Sequence, residues 1–182
     1  MADFNKAFRF VLSNEVPVGI DGVFSGVTIV DVDGGQTRFG IDSRSNPQAV
    51  TDGFYQMSDA DACTYATNLF RVDYWNGIMG DSIVSDRIGA KYADMAFNQY
   101  IHEATLLVQR AVNMLQPNDK IVEDGHLGRL TLAAINACDE NYLLAAIVKS
   151  ASAFYTELYQ QNTSRYSESI YKGWINRINK LP

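Results

Sequence analysis

The sequence predicts a mainly α-helical (α+β) protein, a helical bundle with a small β-hairpin lobe near its N-terminus. Two observations support this fold class. From Ser58 onward, apolar residues recur mostly three and four positions apart, which is the spacing of amphipathic helices. Between residues 18 and 41 this spacing is absent, and glycines, β-branched residues and the turn dipeptide Asp21-Gly22 predict short strands instead.

Length, composition and charge exclude several classes of protein. The 182 residues suffice for one domain with a proper core, or for a domain with a small appendage. With 47% apolar and 20% charged residues the chain is globular, and no apolar run approaches the roughly 20 residues of a membrane span. The net charge of −6 argues against nucleic acid as a partner. Cys63 and Cys138 form no disulfide framework.

The first predicted helix places an acidic side chain at its end. Asp3 is a suitable N-cap, and Phe8, Val11 and Glu15 continue one helical stripe. Pro17 disfavours helical geometry at the preceding residue, so the helix is expected to end at or next to Glu15. Partial burial and the negative end of the helix dipole both favour a protonated carboxyl, as a general acid requires. The alternative is a helix-end residue turned to solvent.

A predicted hairpin follows this helix. The β-branched run of residues 27–32 leads to the turn Asp33-Gly34-Gly35, and Asp31 lies just before that turn. In the next strand, period-2 alternation predicts Thr37 on the apolar face, with Gln36 and Arg38 opposite. Thr37 is expected either to hold a water or a sugar hydroxyl, or to be an ordinary half-buried strand residue.

Helix signals continue through the rest of the chain. Ser58, with Asp61 three residues later, predicts a helix that ends at Tyr74-Trp75, and Ser85 opens another that runs to about Gln99. The apolar stripe of a further helix lies at residues 104–115. One further predicted helix begins near Asp139, and the last predicted helix spans residues 164–178. A boundary at residues 119–124 divides the chain into 1–117 and 118–182, which we expect to pack into the same globule.

The sequence motifs of several other enzyme classes are absent. The sequence has no phosphate-binding loop and no His-Glu-x-x-His, and His102, His126 and the two cysteines lack zinc-ligand spacing. Ser25 stands at the wrong spacing for a nucleophile elbow. We therefore expect no metal and no organic cofactor.

The run Gly34-Gly35-Gln36-Thr37-Arg38-Phe39-Gly40-Ile41, preceded by a helix ending in Glu15, resembles the lysozyme-like muramidases of glycoside hydrolase family 108. These enzymes are common among phage endolysins. Their pattern has Gly-Gly where this chain has Val16-Pro17, and a shorter loop before the threonine. The resemblance implies a lysozyme-like fold, Glu15 as the general acid, and Asp31 or Asp33 as a second catalytic group assisted by Thr37.

Later motifs extend the resemblance. The helix end at Tyr74-Trp75 implies sugar-binding aromatic residues, although Trp75 is alternatively expected to close the core. Asn98 matches a family asparagine and is expected to bind an N-acetyl group or to be an interhelical amide; Tyr100 stands where the family has glycine. The run 124–132 resembles the turn-to-helix signature of peptidoglycan-binding modules, and residues 173–177 resemble the family's Gly-Trp-x-x-Arg.

The implied activity is hydrolysis of the β-1,4 bond between N-acetylmuramic acid and N-acetylglucosamine in peptidoglycan glycan strands. A lytic transglycosylase using the same Glu15 is one alternative. A non-catalytic wall-binding or secretion-associated protein is another, because Val16-Pro17 changes the helix exit. Residues 1–6 show neither the basic region nor the apolar region of a signal peptide, so we expect none. We expect a monomer made in the cytoplasm, possessing no membrane span, that acts on the cell wall after release.

Overall fold

The computed structural model describes residues 1–16 and 26–182. Within these residues the fold is mainly α-helical with a small antiparallel sheet, as the sequence predicts. The strands are β1 (Ile29–Val30), β2 (Gln36–Arg38) and β3 (Ile41–Asp42), in the order β1-β2-β3. The helices are α1 (Phe4–Glu15), α2 (Pro47–Thr51), α3 (Asp59–Phe70), α4 (Asp86–Gln99), α5 (Ile101–Leu115), α6 (Arg129–Ala137), α7 (Glu140–Gln161) and α8 (Glu168–Asn179). The strand predicted at residues 18–20 and the turn at 21–22 lie outside the described residues.

Capping side chains fix where most helices begin. Asp3, Ser58, Ser85 and Asp139 each accept hydrogen bonds from backbone N–H groups in the first turn of the helix that follows, as their positions predict. The predicted start of α8 near residue 164 is wrong. Ser167 accepts the N–H of Ile170, so α8 begins at Glu168.

Helix α4 lies at the centre of the core. It packs against α1, α5 and α7, and residues 88–96 are all buried. The predicted stripe of α1 faces α4, and the stripe of α5 faces α4 and α7. One hydrophobic cluster therefore includes residues from both the 1–117 and the 118–182 segments. In the described part of the chain, no helix has the length and apolar character to cross a membrane.

The β2–β3 hairpin differs from its predicted alternation. Phe39 and Gly40 have φ of +50° and +75° and form a two-residue turn of the kind that matches strand twist. The strand therefore ends at Arg38, which pairs with Ile41, and both side chains are buried. The prediction that Thr37 shares a face with Ile41 is wrong, because the turn reverses the chain after Arg38.

The buried guanidinium of Arg38 attaches the sheet to the start of α3. It donates hydrogen bonds to the carbonyl oxygens of Gly26, Phe54 and Met57 and forms an ion pair with Asp59 at 2.6 Å. These bonds satisfy a charged group that is 4% exposed. They hold the hairpin, and with it Gly40, in a fixed place beside the helices.

Candidate active site

Glu15 is the last residue of α1, and its carboxylate lies in a cluster of charged side chains. Its Oε1 is 2.6 Å from Nη1 of Arg177, which belongs to α8. Nη2 of the same guanidinium is 2.8 Å from Oδ1 of Asp94 on α4, and that oxygen also accepts a hydrogen bond from Nδ2 of Asn14 at 2.9 Å. Three helices therefore meet at this cluster.

Burial raises the pKa of Glu15. Its side chain is 19% exposed, and removal from water raises the pKa of the carboxyl. The Arg177 guanidinium opposes this rise and the nearby Asp94 adds to it, with a net pKa above the usual value. A carboxyl of this kind can remain protonated where an exposed one has ionised, so Glu15 has the property that a proton donor needs.

Gly40 brings the β2–β3 turn directly onto Glu15. A Cβ atom at Gly40 would lie 2.8 Å from Cγ of Glu15 and 3.1 Å from the ring of Phe97. The adjoining cavity, of about 120 Å³, is lined by Gly40, Ile41, Asp42, Ser45, Asn46, Tyr74, Phe97, Asn98 and Tyr100. It is an opening next to the acid, bordered by the hairpin on one side and by α4 on the other.

Two of the predicted substrate-binding residues line this cavity. The rings of Tyr74 and Phe97 pack with centroids 4.9 Å apart. Burial, assisted by nearby acidic groups that include Glu15, raises the pKa of Tyr74. Asn98 donates from Nδ2 to the hydroxyl of Tyr155 on α7 at 2.8 Å, so the expected interhelical amide is present at the edge of the cavity.

Trp75 lies elsewhere. Its ring has no exposed surface, its Nε1 donates to Oδ1 of Asp81 at 2.8 Å, and Gly80 and Gly89 pack against it. Stacking on a sugar does not fit this position, and the alternative role of closing the core does. The turn of π-helix at residues 71–75, which follows α3, carries Tyr74 at the cavity and Trp75 in the core.

The predicted second carboxylates form a cluster of their own. Arg44 makes ion pairs with Asp31 at 2.8 Å, Asp33 at 2.7 Å and Asp42 at 3.1 Å. We call these four residues the Arg44 cluster. Asp42 also lines the cavity, and it pairs across the sheet with Thr37. Burial opposes its ionisation, but hydrogen bonds and the charge of Arg44 outweigh this effect and lower the pKa of Asp42.

Sequence reasoning missed Asp42, Arg44, Gly40 and Arg177 as parts of the site. Gly40 and Arg177 do stand in motifs that the sequence displays, the Gly-Ile of the hairpin and the C-terminal Gly-Trp-x-x-Arg. Neither motif by itself indicates contact with Glu15. Among residues 1–16 and 26–182, no group of three or more His, Cys, Asp and Glu side chains is arranged to hold a metal ion.

The turn-to-helix run of residues 124–132 is held by the buried side chain of Gln109. Its Oε1 accepts the backbone N–H groups of Asp124 and Gly125, and its Nε2 donates to Asp124 and to the carbonyl of His126. Gly125 has φ of +69°, which favours glycine at this turn. A cavity of about 680 Å³ lies beside the run.

Comparison with known proteins bears on both halves of the chain. Residues 28–99 match the family described as Glycosyl hydrolase 108, and residues 103–179 match the family described as Predicted Peptidoglycan domain. Glu15 precedes the first match and Arg177 falls within the second. A search of curated proteins found no match.

A solved structure, the "Structure of Brucella abortus SagA", is similar over nearly the whole chain. The TM-score is 0.60 at 20% sequence identity, and the alignment covers 97% of this chain and 96% of that chain. At this identity the likeness shows a shared fold. The two family matches lie one on each side of the α4–α5 junction, and together they support a peptidoglycan hydrolase, with a glycoside hydrolase segment followed by a predicted peptidoglycan domain.

Proposed function

We propose that the protein is an N-acetylmuramidase that hydrolyses the β-1,4 bond between N-acetylmuramic acid and N-acetylglucosamine, with Glu15 as the general acid. The observation that carries this proposal is the position of Glu15: a carboxyl with a raised pKa beside a cavity lined by Tyr74, Phe97 and Asn98. The acid donates its proton to the glycosidic oxygen as the bond to the muramic acid breaks. Arg177 holds the carboxyl in place through the ion pair at 2.6 Å.

The second group of the reaction is proposed to come from the Arg44 cluster. An ionised carboxylate either activates a water molecule or stabilises positive charge on the sugar ring. Asp31 and Asp33 are the sequence candidates, and Asp42 joins them because it lines the cavity and has a lowered pKa. Thr37, opposite Asp42 in the sheet, is proposed to orient the same water.

Separate Asp31→Asn, Asp33→Asn and Asp42→Asn variants test this assignment. One of them should lose roughly 10²-fold or more in kcat, while the other two change far less, because a single carboxylate contacts the reacting atoms. Initial rates on purified peptidoglycan give the comparison. Equal, mild losses in all three variants would count against a catalytic role for the cluster.

Lytic transglycosylation is the second candidate activity. It needs Glu15 as acid and then as base, and no second carboxylate. The observation in its favour is that both sequence candidates, Asp31 and Asp33, form ion pairs with Arg44, and neither is among the residues that line the cavity beside Glu15. Such an enzyme would leave anhydro sugars in place of reducing ends.

Mass spectrometry of the fragments released from purified peptidoglycan distinguishes these activities. The proposal predicts fragments with reducing N-acetylmuramic acid ends. Anhydro-muramic ends would assign the transglycosylase reaction, and reducing N-acetylglucosamine ends would assign cleavage of the other glycosidic bond. We further propose that the protein works at the cell wall, where this substrate lies, and that the cavity beside residues 124–132 contacts the wall.

A further inference from the structure

Tyr100 is the single residue between α4 and α5. It ends α4, and its carbonyl oxygen accepts the N–H of Ala104 in the first turn of α5. Its backbone has φ of +68° and ψ of 155°, a combination that ordinarily belongs to glycine alone. A tyrosine here strains the backbone, and a glycine in its place would relieve that strain.

The packing of the ring does not explain why a tyrosine is present. Tyr100 is 73% exposed, so its side chain adds little to the core. Strained backbone persists where a function requires it, and the inference runs from the observed strain to that function. The strain and the exposure together favour a role for this side chain at the surface.

The ring lies where the cavity next to Glu15 opens to solvent. Tyr100 lines this cavity together with Tyr74, Phe97 and Asn98, and Gly40 on its other side contacts Glu15. Ser45, Asn46 and Asp42 supply polar groups to the same lining. An exposed aromatic face beside hydroxyl, amide and carboxylate groups has the chemistry that binds a sugar ring, whose faces are apolar and whose edges are polar.

We propose that Tyr100 forms a sugar-binding subsite of the cleft, on which one N-acetylated hexose ring of the glycan strand stacks. This inference rests on the proposed function and deepens it, since it assigns a specificity-determining residue beside the acid. The two helices hold the ring at the cavity edge at the expense of backbone strain. Removal of the side chain should therefore weaken substrate binding while it relaxes the protein.

Tyr100→Gly tests both consequences at once. Its thermal midpoint should rise by about 2 °C, because the backbone strain is relieved and little packing is lost. Its KM for soluble glycan strands should rise about 5- to 10-fold at nearly unchanged kcat, and its Kd for the same strands in the Glu15→Gln background should rise equally. Tyr100→Phe keeps the ring and should stay within about twofold of the wild type. Tyr142→Ala is the matched control, because Tyr142 is a comparably exposed tyrosine, 70% exposed, on α7.

The outcomes separate the subsite from the proposed reaction. A Tyr100→Gly enzyme with wild-type KM and Kd would overturn the subsite, and so would a Tyr100→Phe enzyme that is impaired as severely as the glycine variant. A wild-type protein that binds the strands without cleaving them would contradict the proposed reaction. The Kd comparison would still decide the role of Tyr100.

Discussion

At the scale of single residues, the ion pair between Glu15 and Arg177 governs the proposed proton transfer. A general acid acts in its protonated form, which is present below its pKa and lost above it. Burial raises the pKa of Glu15 and Arg177 restrains the rise. The alkaline limb of the pH profile of kcat/KM should therefore report the pKa of Glu15, which burial raises and Arg177 lowers.

Substitution of Arg177→Met removes the cation that favours ionised Glu15, so the pKa of Glu15 should rise further. We predict that the alkaline limb of kcat/KM moves to higher pH in this variant. Arg110→Met is the control, because Arg110 forms a comparable ion pair, with Glu123 at 3.5 Å, outside the proposed site. Pre-steady-state or initial-rate profiles across pH give the measurement. An Arg177→Met profile that coincides with that of the wild type would show that Glu15 does not set this limb.

Gly40 offers a second test at the same scale. Ala at this position would strain a backbone with φ of +75° and would press its Cβ against Cγ of Glu15. Gly53 has nearly the same φ, +74°, with nothing within 4 Å of a Cβ, so Gly53→Ala carries the strain without the clash. We predict a loss of stability of about 1–3 kcal/mol in Gly53→Ala from the backbone strain, and a larger loss in Gly40→Ala, which adds the clash. Gly40→Ala alone should lose more than tenfold in kcat/KM, and equal activities of the two folded variants would contradict the contact with Glu15.

At the scale of elements, α8 is the helix that carries Arg177 to the site. Lys91 of α4 is fully buried and donates to the carbonyl oxygens of Ile178 and Lys180, at 2.7 and 2.8 Å, at the end of that helix. Burial lowers the pKa of Lys91 to about 8. These bonds satisfy carbonyl groups that the helix end leaves without intrahelical partners.

Lys91→Met should therefore loosen the end of α8 and the position of Arg177 with it. We expect the free energy of unfolding to fall by about 2–3 kcal/mol. The rate of cleavage should fall further than the reduced fraction of folded protein accounts for. Lys172→Met, on α8 itself, is the control, since the exposed ion pair of Lys172 with Glu168 contributes little to stability. Chemical denaturation gives the comparison, and equal midpoints for the two variants would refute the role assigned to Lys91.

Local sequence signals predicted helices well where a side chain accepts hydrogen bonds from the first turn of the helix that it begins. Asp3, Ser58, Ser85 and Asp139 are such residues, and four helix starts followed from them. Prediction failed where backbone conformation departs from the repeating pattern. Phe39 has a positive φ, which cannot be predicted from its residue type. The turn that results was therefore missed, and Thr37 was assigned to the wrong face of the sheet. Adjacent residues on a helix point in different directions, so Tyr74 and Trp75 could not share one face, but the spacing alone does not say which of them reaches the cavity.

At the scale of the whole molecule, the two matched segments share a core and the candidate site. Helices α5 and α7 pack together, α4 contacts both, and Arg177 reaches Glu15 across this assembly. The sequence predicted Glu15 because its stripe and its helix end are local features. It could not predict Arg177 as a partner, because the contact forms only when α8 packs near α1 and α4.

Deletion of residues 118–182 should therefore abolish folding as well as activity. It would expose the faces of α4 and α5 that now pack on α7, and it would leave Glu15 without Arg177. We expect an insoluble product, or a soluble one without the helical circular dichroism of the intact chain. A soluble 1–117 fragment that still cleaves peptidoglycan would instead establish the C-terminal segment as a separable binding module.

The most direct test of the account is the rate at which Glu15→Gln cleaves purified peptidoglycan, measured beside the wild type. Glutamine preserves the size of the side chain and a hydrogen-bonding group near Arg177, but it cannot donate the required proton. With circular dichroism and thermal midpoint showing a folded variant, the account predicts a loss of roughly 10²–10⁴-fold in kcat. A folded Glu15→Gln protein that cleaves at the wild-type rate would contradict the assignment of Glu15 as the general acid.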